Sequence, residues 1–156
     1  MRENLTIQIN ETEELTRFQR ATWKQGRMLE QPSSAKQVYN LQADSEDSAD
    51  QGLMHDSYLR WLWAGINIMS EYLVAEPTFA NNQLGQSVCT ITITMPQNWV
   101  IHSMPGMKYA MRELIHNGMM ADWYDDVKQD SAKTYKQKAE VNKAEIQSII
   151  YALNAP

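Results

Sequence analysis

The stretch Ser87-Val88-Cys89-Thr90-Ile91-Thr92-Ile93-Thr94-Met95 constrains the fold more than any other part of the chain. It alternates without a break and is rich in β-branched residues, so it reads as a strand with one covered face. Cys89, Ile91, Ile93 and Met95 point one way; Val88, Thr90, Thr92 and Thr94 point the other. The turn-rich Ala80 to Gln86 leads into this strand and Pro96 ends it, which predicts a short strand or hairpin element. A second alternation, Leu5-Thr6-Ile7-Gln8-Ile9-Asn10, predicts another short strand near the start.

Elsewhere the apolar period is helical. Asn10 or Thr12 is placed to cap a first helix, with Glu13 and Glu14 in its first turn and an end before Pro32. A second helix is expected over 53–74, with Leu59, Leu62, Trp63, Ile66, Met69 or Ser70, and Leu73 on its apolar stripe. A third is expected over 107–126, opened by Pro105 in its first turn. Gly118 inside it costs about 1 kcal/mol against alanine, which suggests a close helix crossing. The fourth, over 131–152, carries Tyr135, Ala139, Asn142, Ile146 and Ile149 inward and Lys133, Lys136, Lys138 and Lys143 outward. The fold class is therefore mainly α: a small bundle of about four helices, with the strand or hairpin inserted before the third. One domain, 1–156, is expected, with a polar acidic loop over 31–52 and a helical core over 53–154.

Composition narrows the function classes. Net charge is −5, which disfavours a general nucleic-acid binder, since that needs a basic footprint. The single cysteine, Cys89, forms no internal disulfide and lies on the apolar side of its strand, as a small core residue does. No signal-peptide segment opens the chain and no run is long and apolar enough for a span, which predicts synthesis in the cytosol and no membrane partner. Five tryptophans, seven tyrosines and ten methionines suit a core and suit subunit interfaces equally.

Chemistry-bearing patterns are sparse. His55, His102 and His116 lack zinc-type spacing, and His116 and Asp122 lie about 600° apart around one helix. No glycine-rich phosphate loop or nucleophile elbow is present. The run Asp44-Ser45-Glu46-Asp47-Ser48-Ala49-Asp50 lacks the glycine and spaced ligands of a calcium loop and reads as a solvated segment. Asp122, Asp125 and Asp126 could do acid/base work only if a pocket separated their pKa values; at an exposed helix end they read as a solvated or ion-paired face, with Lys128 and Lys133 as available partners. The expectation is a protein without catalysis, cofactor or metal.

The middle and end of the chain carry a specific order. An amphipathic helix and a turn-rich strand precede Met95-Pro96-Gln97-Asn98-Trp99. A helix with Met107-Lys108-Tyr109-Ala110-Met111-Arg112-Glu113-Leu114-Ile115 follows, running to Trp123-Tyr124. A Lys/Ala-rich helix then finishes Ile149-Ile150-Tyr151-Ala152-Leu153. Over residues 53–154 this resembles the head–tail connector, or adaptor, proteins of tailed bacteriophages.

The resemblance implies a virion component of the phage neck, assembled in the host cytoplasm as a ring, commonly of twelve copies. Its partners would be other copies of itself, the portal protein and the next neck or tail protein, with DNA passing through without sequence-specific binding. Ile150, Tyr151, Leu153 and Asn154 would then form a candidate portal-contacting segment. Val88, Thr90, Thr92 and Thr94 would lie on a strand that pairs across subunits by its edge. The alternative is a small cytosolic homo-oligomeric interaction module, also without catalysis.

Overall fold

The computed structural model describes residues 4–27, 48–81, 85–94, 103–125 and 128–154. Within them the chain is mainly α, with a small three-stranded sheet. Strand β1 is Asn4–Asn10, helix α1 Glu11–Arg27 and helix α2 Ser48–Ile68. A single 3-10 turn, Ser70–Tyr72, follows, then β2 (Thr78–Ala80) and β3 (Val88–Thr94). Helices α3 (Ser103–Tyr124) and α4 (Gln129–Asn154) complete the order.

The sheet is ordered β1-β3-β2, with both pairings antiparallel. β1 matches β3 over seven residues without a bulge, from Asn4 opposite Thr94 to Asn10 opposite Val88. That register puts Leu5, Ile7 and Ile9 on the same side as Ile93, Ile91 and Cys89, and all six are at most 2% exposed. Each such side chain is worth about 1.5–3 kcal/mol when taken from water. A slip of one residue would turn the whole set to solvent. The β2–β3 hairpin turns through Asn81 at φ 57° and Gly85 at φ 81°, and the latter conformation suits glycine.

β3 is the middle strand. Its backbone is paired to β1 on one side, and to β2 and Leu73 on the other. The Val74 amide adds a bond to the Thr92 carbonyl. The expected pairing of β3 across subunits by its edge is therefore corrected, because no β3 edge is open. The second helix also ends earlier than expected. Residues 73 and 74 are extended and extend the pairing on β3, so the apolar residues there serve the sheet rather than a helical stripe. At its other end α2 begins at Ser48, inside the segment read as a loop; the rest of that segment's acidic run, 44–47, lies outside the described residues.

Helix α3 is the centre of the helical layer and meets α1, α2, α4 and β1. Met107, Ala110, Met111, Leu114, Ile115, Met119 and Met120 are all at most 1% exposed. The inner stripe of α2 is Met54, Tyr58, Leu62 and Ile66, continued just past the helix by Met69. Leu62, Ile66 and Met69 are buried as expected, whereas Leu59 is half-buried and Trp63 faces outward. On α4 the buried positions are Ala132, Ala139, Asn142, Ile146 and Ile150, close to the predicted stripe. One apolar cluster joins residues from both long strands and all four helices.

Two glycines mark the α2–α3 crossing. A β-carbon at Gly118 would strike the Trp61 indole, and one at Gly65 would strike the Met111 sulfur. The close crossing suggested by Gly118 is present. Gly118→Ala should therefore destabilise by about 1–3 kcal/mol through overpacking, against its helix propensity. At Gly52, also helical, an added methyl meets nothing within 4 Å, so Gly52→Ala should stabilise by up to about 1 kcal/mol. Chemical denaturation of the two variants checks the opposite signs.

Candidate functional site

Alternation in β1 and β3 sends every second side chain to the outer face of the sheet. Asn4, Thr6, Gln8 and Asn10 lie there opposite Thr94, Thr92, Thr90 and Val88, with Thr78 and Ala80 of β2 alongside. All ten are exposed or half-buried. None is charged, although 21% of the chain is Asp, Glu, Lys or Arg. Apart from Val88 and Ala80, the groups are hydroxyls and amides, each able to donate and accept. Thr6 and Thr92 already meet across the strands, Oγ1 to Oγ1 at 3.4 Å.

The other predicted interface residues fall differently. Ile150 is 5% exposed and belongs to the core, so it does not offer a contact surface. Tyr151, Leu153 and Asn154 close α4, and their side chains lie outside the described residues. The two groups of candidates are not brought together as one site.

A second surface feature adjoins the sheet. Trp63, 40% exposed, leans against Phe79 of β2 with ring centroids 5.8 Å apart. With Ile66, Leu73, Pro77 and Glu76 these rings line an open groove beside the 3-10 turn. The sequence reading placed Trp63 inward. What separates it from Leu62 is only its angle around α2, which depends on where α3 packs.

The charged groups inside the molecule act as struts. Glu11, fully buried at the start of α1, accepts from Ser87 Oγ at 2.6 Å and is paired with His55 Nδ1 of α2. The Glu11 amide donates to the Ser87 carbonyl at 2.9 Å, so this corner ties α1, α2 and the start of β3. Ser87 gives its proton to the carboxylate and does not face the imidazole, so the trio lacks the order of a nucleophile, base and orienting acid. Glu14 is held by Arg112 of α3, and burial raises the carboxyl above its usual range.

Asp122 gathers three donors on one oxygen: Ser57 Oγ at 2.7 Å, Arg60 at 2.8 Å and Trp61 Nε1 at 2.9 Å. It clamps α3 to α2. Asp125 pairs with Lys136 at 2.9 Å, while Asp126 lies outside the described residues, as does His102. The expected partners Lys128 and Lys133 are thus replaced by Arg60 and Lys136, because the crossing of α2 and the fold-back of α4 set the neighbours. Cys89 is buried, and burial pushes its thiol up to about 11, so the neutral, poorly nucleophilic form holds at pH 7. Among the described residues, no group of three His, Cys, Asp or Glu side chains is placed to hold a metal, and no helix is long and apolar enough to cross a membrane.

No family model, curated protein or solved structure matches this chain. The uncharged sheet face and the aromatic groove thus stand on geometry alone. The face was half legible, since the threonines of β3 alternate in the sequence. That Asn4, Thr6 and Gln8 would extend it was hidden, because strand pairing across some eighty residues leaves no local signal. The Glu11–Ser87–His55 corner was missed for the same reason.

His116 gives a measurable pH signature. Burial first, then the nearby charges of Arg17 and Lys138, lower its pKa from 6.5 to about 4. A lowered histidine pKa means that the unfolded chain takes up the proton first. Stability from this group is full above about pH 6.5 and lost progressively as pH falls toward 4. The loss should be on the order of 2–3 kcal/mol, and it should be absent in His116→Gln. Urea unfolding at a series of pH values reads both.

Proposed function

We propose that this protein is a structural adaptor of the phage neck: a ring component that docks beneath the portal and carries the next neck or tail protein. The observation that carries the reading is the charge-free outer face of the sheet. A solvated face of this area ordinarily collects lysine and glutamate, which keep sheets from associating. Hydroxyls and amides in rows instead suit a surface covered by another protein, since neutral groups lose less on leaving water than charges do. Under this reading the face of Thr6, Thr90 and Thr92 is the platform for a neighbouring neck protein. The end of α4, Tyr151 to Asn154, is the portal-side segment.

Two further features support the assignment. The order of helix, hairpin, helix and long final helix over residues 53–154 is the order on which the connector resemblance rests. A net charge of −5 suits a channel through which DNA slides, because a basic lining would retain phosphates.

The reading predicts that portal and major-capsid genes lie beside the gene for this chain. It also predicts that the purified chain, alone or mixed with that portal, forms a closed oligomer of more than two copies. Light scattering and negative-stain imaging measure this. A stable dimer in both conditions, or a gene neighbourhood without capsid components, would overturn it in favour of a small self-associating module.

A further inference from the structure

Among the described residues two tryptophans are exposed, Trp23 and Trp63, and their surroundings are of opposite electrostatic character. The first is on α1. Trp23 is 54% exposed although it is among the most apolar side chains of its helix. It sits in a stretch, residues 15–29, that holds Arg17, Arg20, Lys24 and Arg27 and no acidic residue. Arg17 is turned to Glu113 at 2.6 Å, and Arg20 is exposed one turn before Trp23. The inner side of the same helix is occupied by Glu14, Phe18 and Thr22, so Trp23 has no place in its own core.

The second patch is the groove of Trp63 and Phe79. Between Arg60 and Lys108 the sequence contains Glu71 and Glu76 and no lysine, arginine or aspartate. Glu76 lines the groove and Glu71 stands exposed on the adjoining 3-10 turn. An apolar cleft with an acidic rim thus exists in the same molecule as an apolar knob with basic flanks.

The two cannot meet within one chain. Gln19, one turn before Trp23, reaches Met54 near the start of α2. Trp63 lies nine residues further along that helix, about 14 Å of rise away.

From this complementarity we infer that Trp23 of one copy seats in the Trp63–Phe79 groove of a second copy, with Arg20 facing Glu71 and Glu76. The inference rests on the adaptor reading and names its copy-to-copy contact. The contact joins unlike surfaces, so a growing chain of copies keeps one knob free at one end and one groove free at the other until the ring closes. A two-fold dimer in which each knob filled the other copy's groove would use both surfaces at two copies, and its mass in light scattering separates it from a ring. Trp and Arg are also the residue types that dominate binding energy at such centres.

Charge reversal tests the contact under the condition in which the wild-type chain assembles. One variant carries Arg20→Glu and Lys24→Glu; the other carries Glu71→Lys and Glu76→Lys. Each alone should remain monomeric by light scattering, because its knob and groove have the same sign. Their equimolar mixture should recover the wild-type mass, since each knob then meets an opposite groove. Trp23→Ala should weaken assembly about 30-fold, the loss expected at an interface hot spot. Circular dichroism of each variant establishes that the fold is intact.

Assembly of both reversal variants at wild-type strength would overturn the contact and leave the adaptor reading standing. Loss in each variant without recovery in the mixture would also overturn it. A wild-type chain that forms no oligomer, alone or with its portal, would remove the adaptor reading and the contact together.

Discussion

The pairing of β1 with β3 is the interaction on which the remaining structure depends. Strand β3 is flanked by polar turn sequence and has no local partner long enough to satisfy it; β2 covers three residues. β1 supplies seven. Once joined, the two strands present a single apolar side, Leu5, Ile7, Ile9, Cys89, Ile91 and Ile93, that must be covered by helices. Closing a chain loop of that length costs only slowly growing entropy, so burial on one face is enough to hold it.

The Glu11 corner sits where this seam ends and α1 begins. Its carboxylate satisfies Ser87 and His55 while its amide donates to the Ser87 carbonyl. A fully buried carboxylate is tolerable only when its oxygens are bonded in this way. The corner therefore fixes the angle at which α1 leaves the sheet, and with it which side of α1 is left facing solvent. Trp23 stands on the outer side as a consequence. The aromatic groove has a similar origin: α2 stops at Ile68 because the chain after the 3-10 turn is drawn onto β3.

Among the described residues, the charged side chains inside the molecule serve as struts between helices. Asp122 spends one oxygen on three donors from α2, and Cys89 is held in its neutral form. Facing outward are a neutral sheet face, an aromatic groove with an acidic rim and a tryptophan with Arg20 beside it. These are surfaces with unlike characters on separate parts of a small molecule, which is what the proposed adaptor reading requires.

The residues by themselves determined the helices and strands, because apolar periods of 3.6 and 2 are local properties of the chain. The inner stripe of α4, the extent of β3 and the crossing at Gly118 were all readable in this way. Tertiary structure alone decided that β3 is central and not an edge, that α2 ends before Leu73, that Trp63 faces outward and Ile150 inward, and that Glu11 meets Ser87 and His55. Each of these turns on which distant segment arrives beside a residue. Periodicity states that a face is covered, but packing and register choose what covers it.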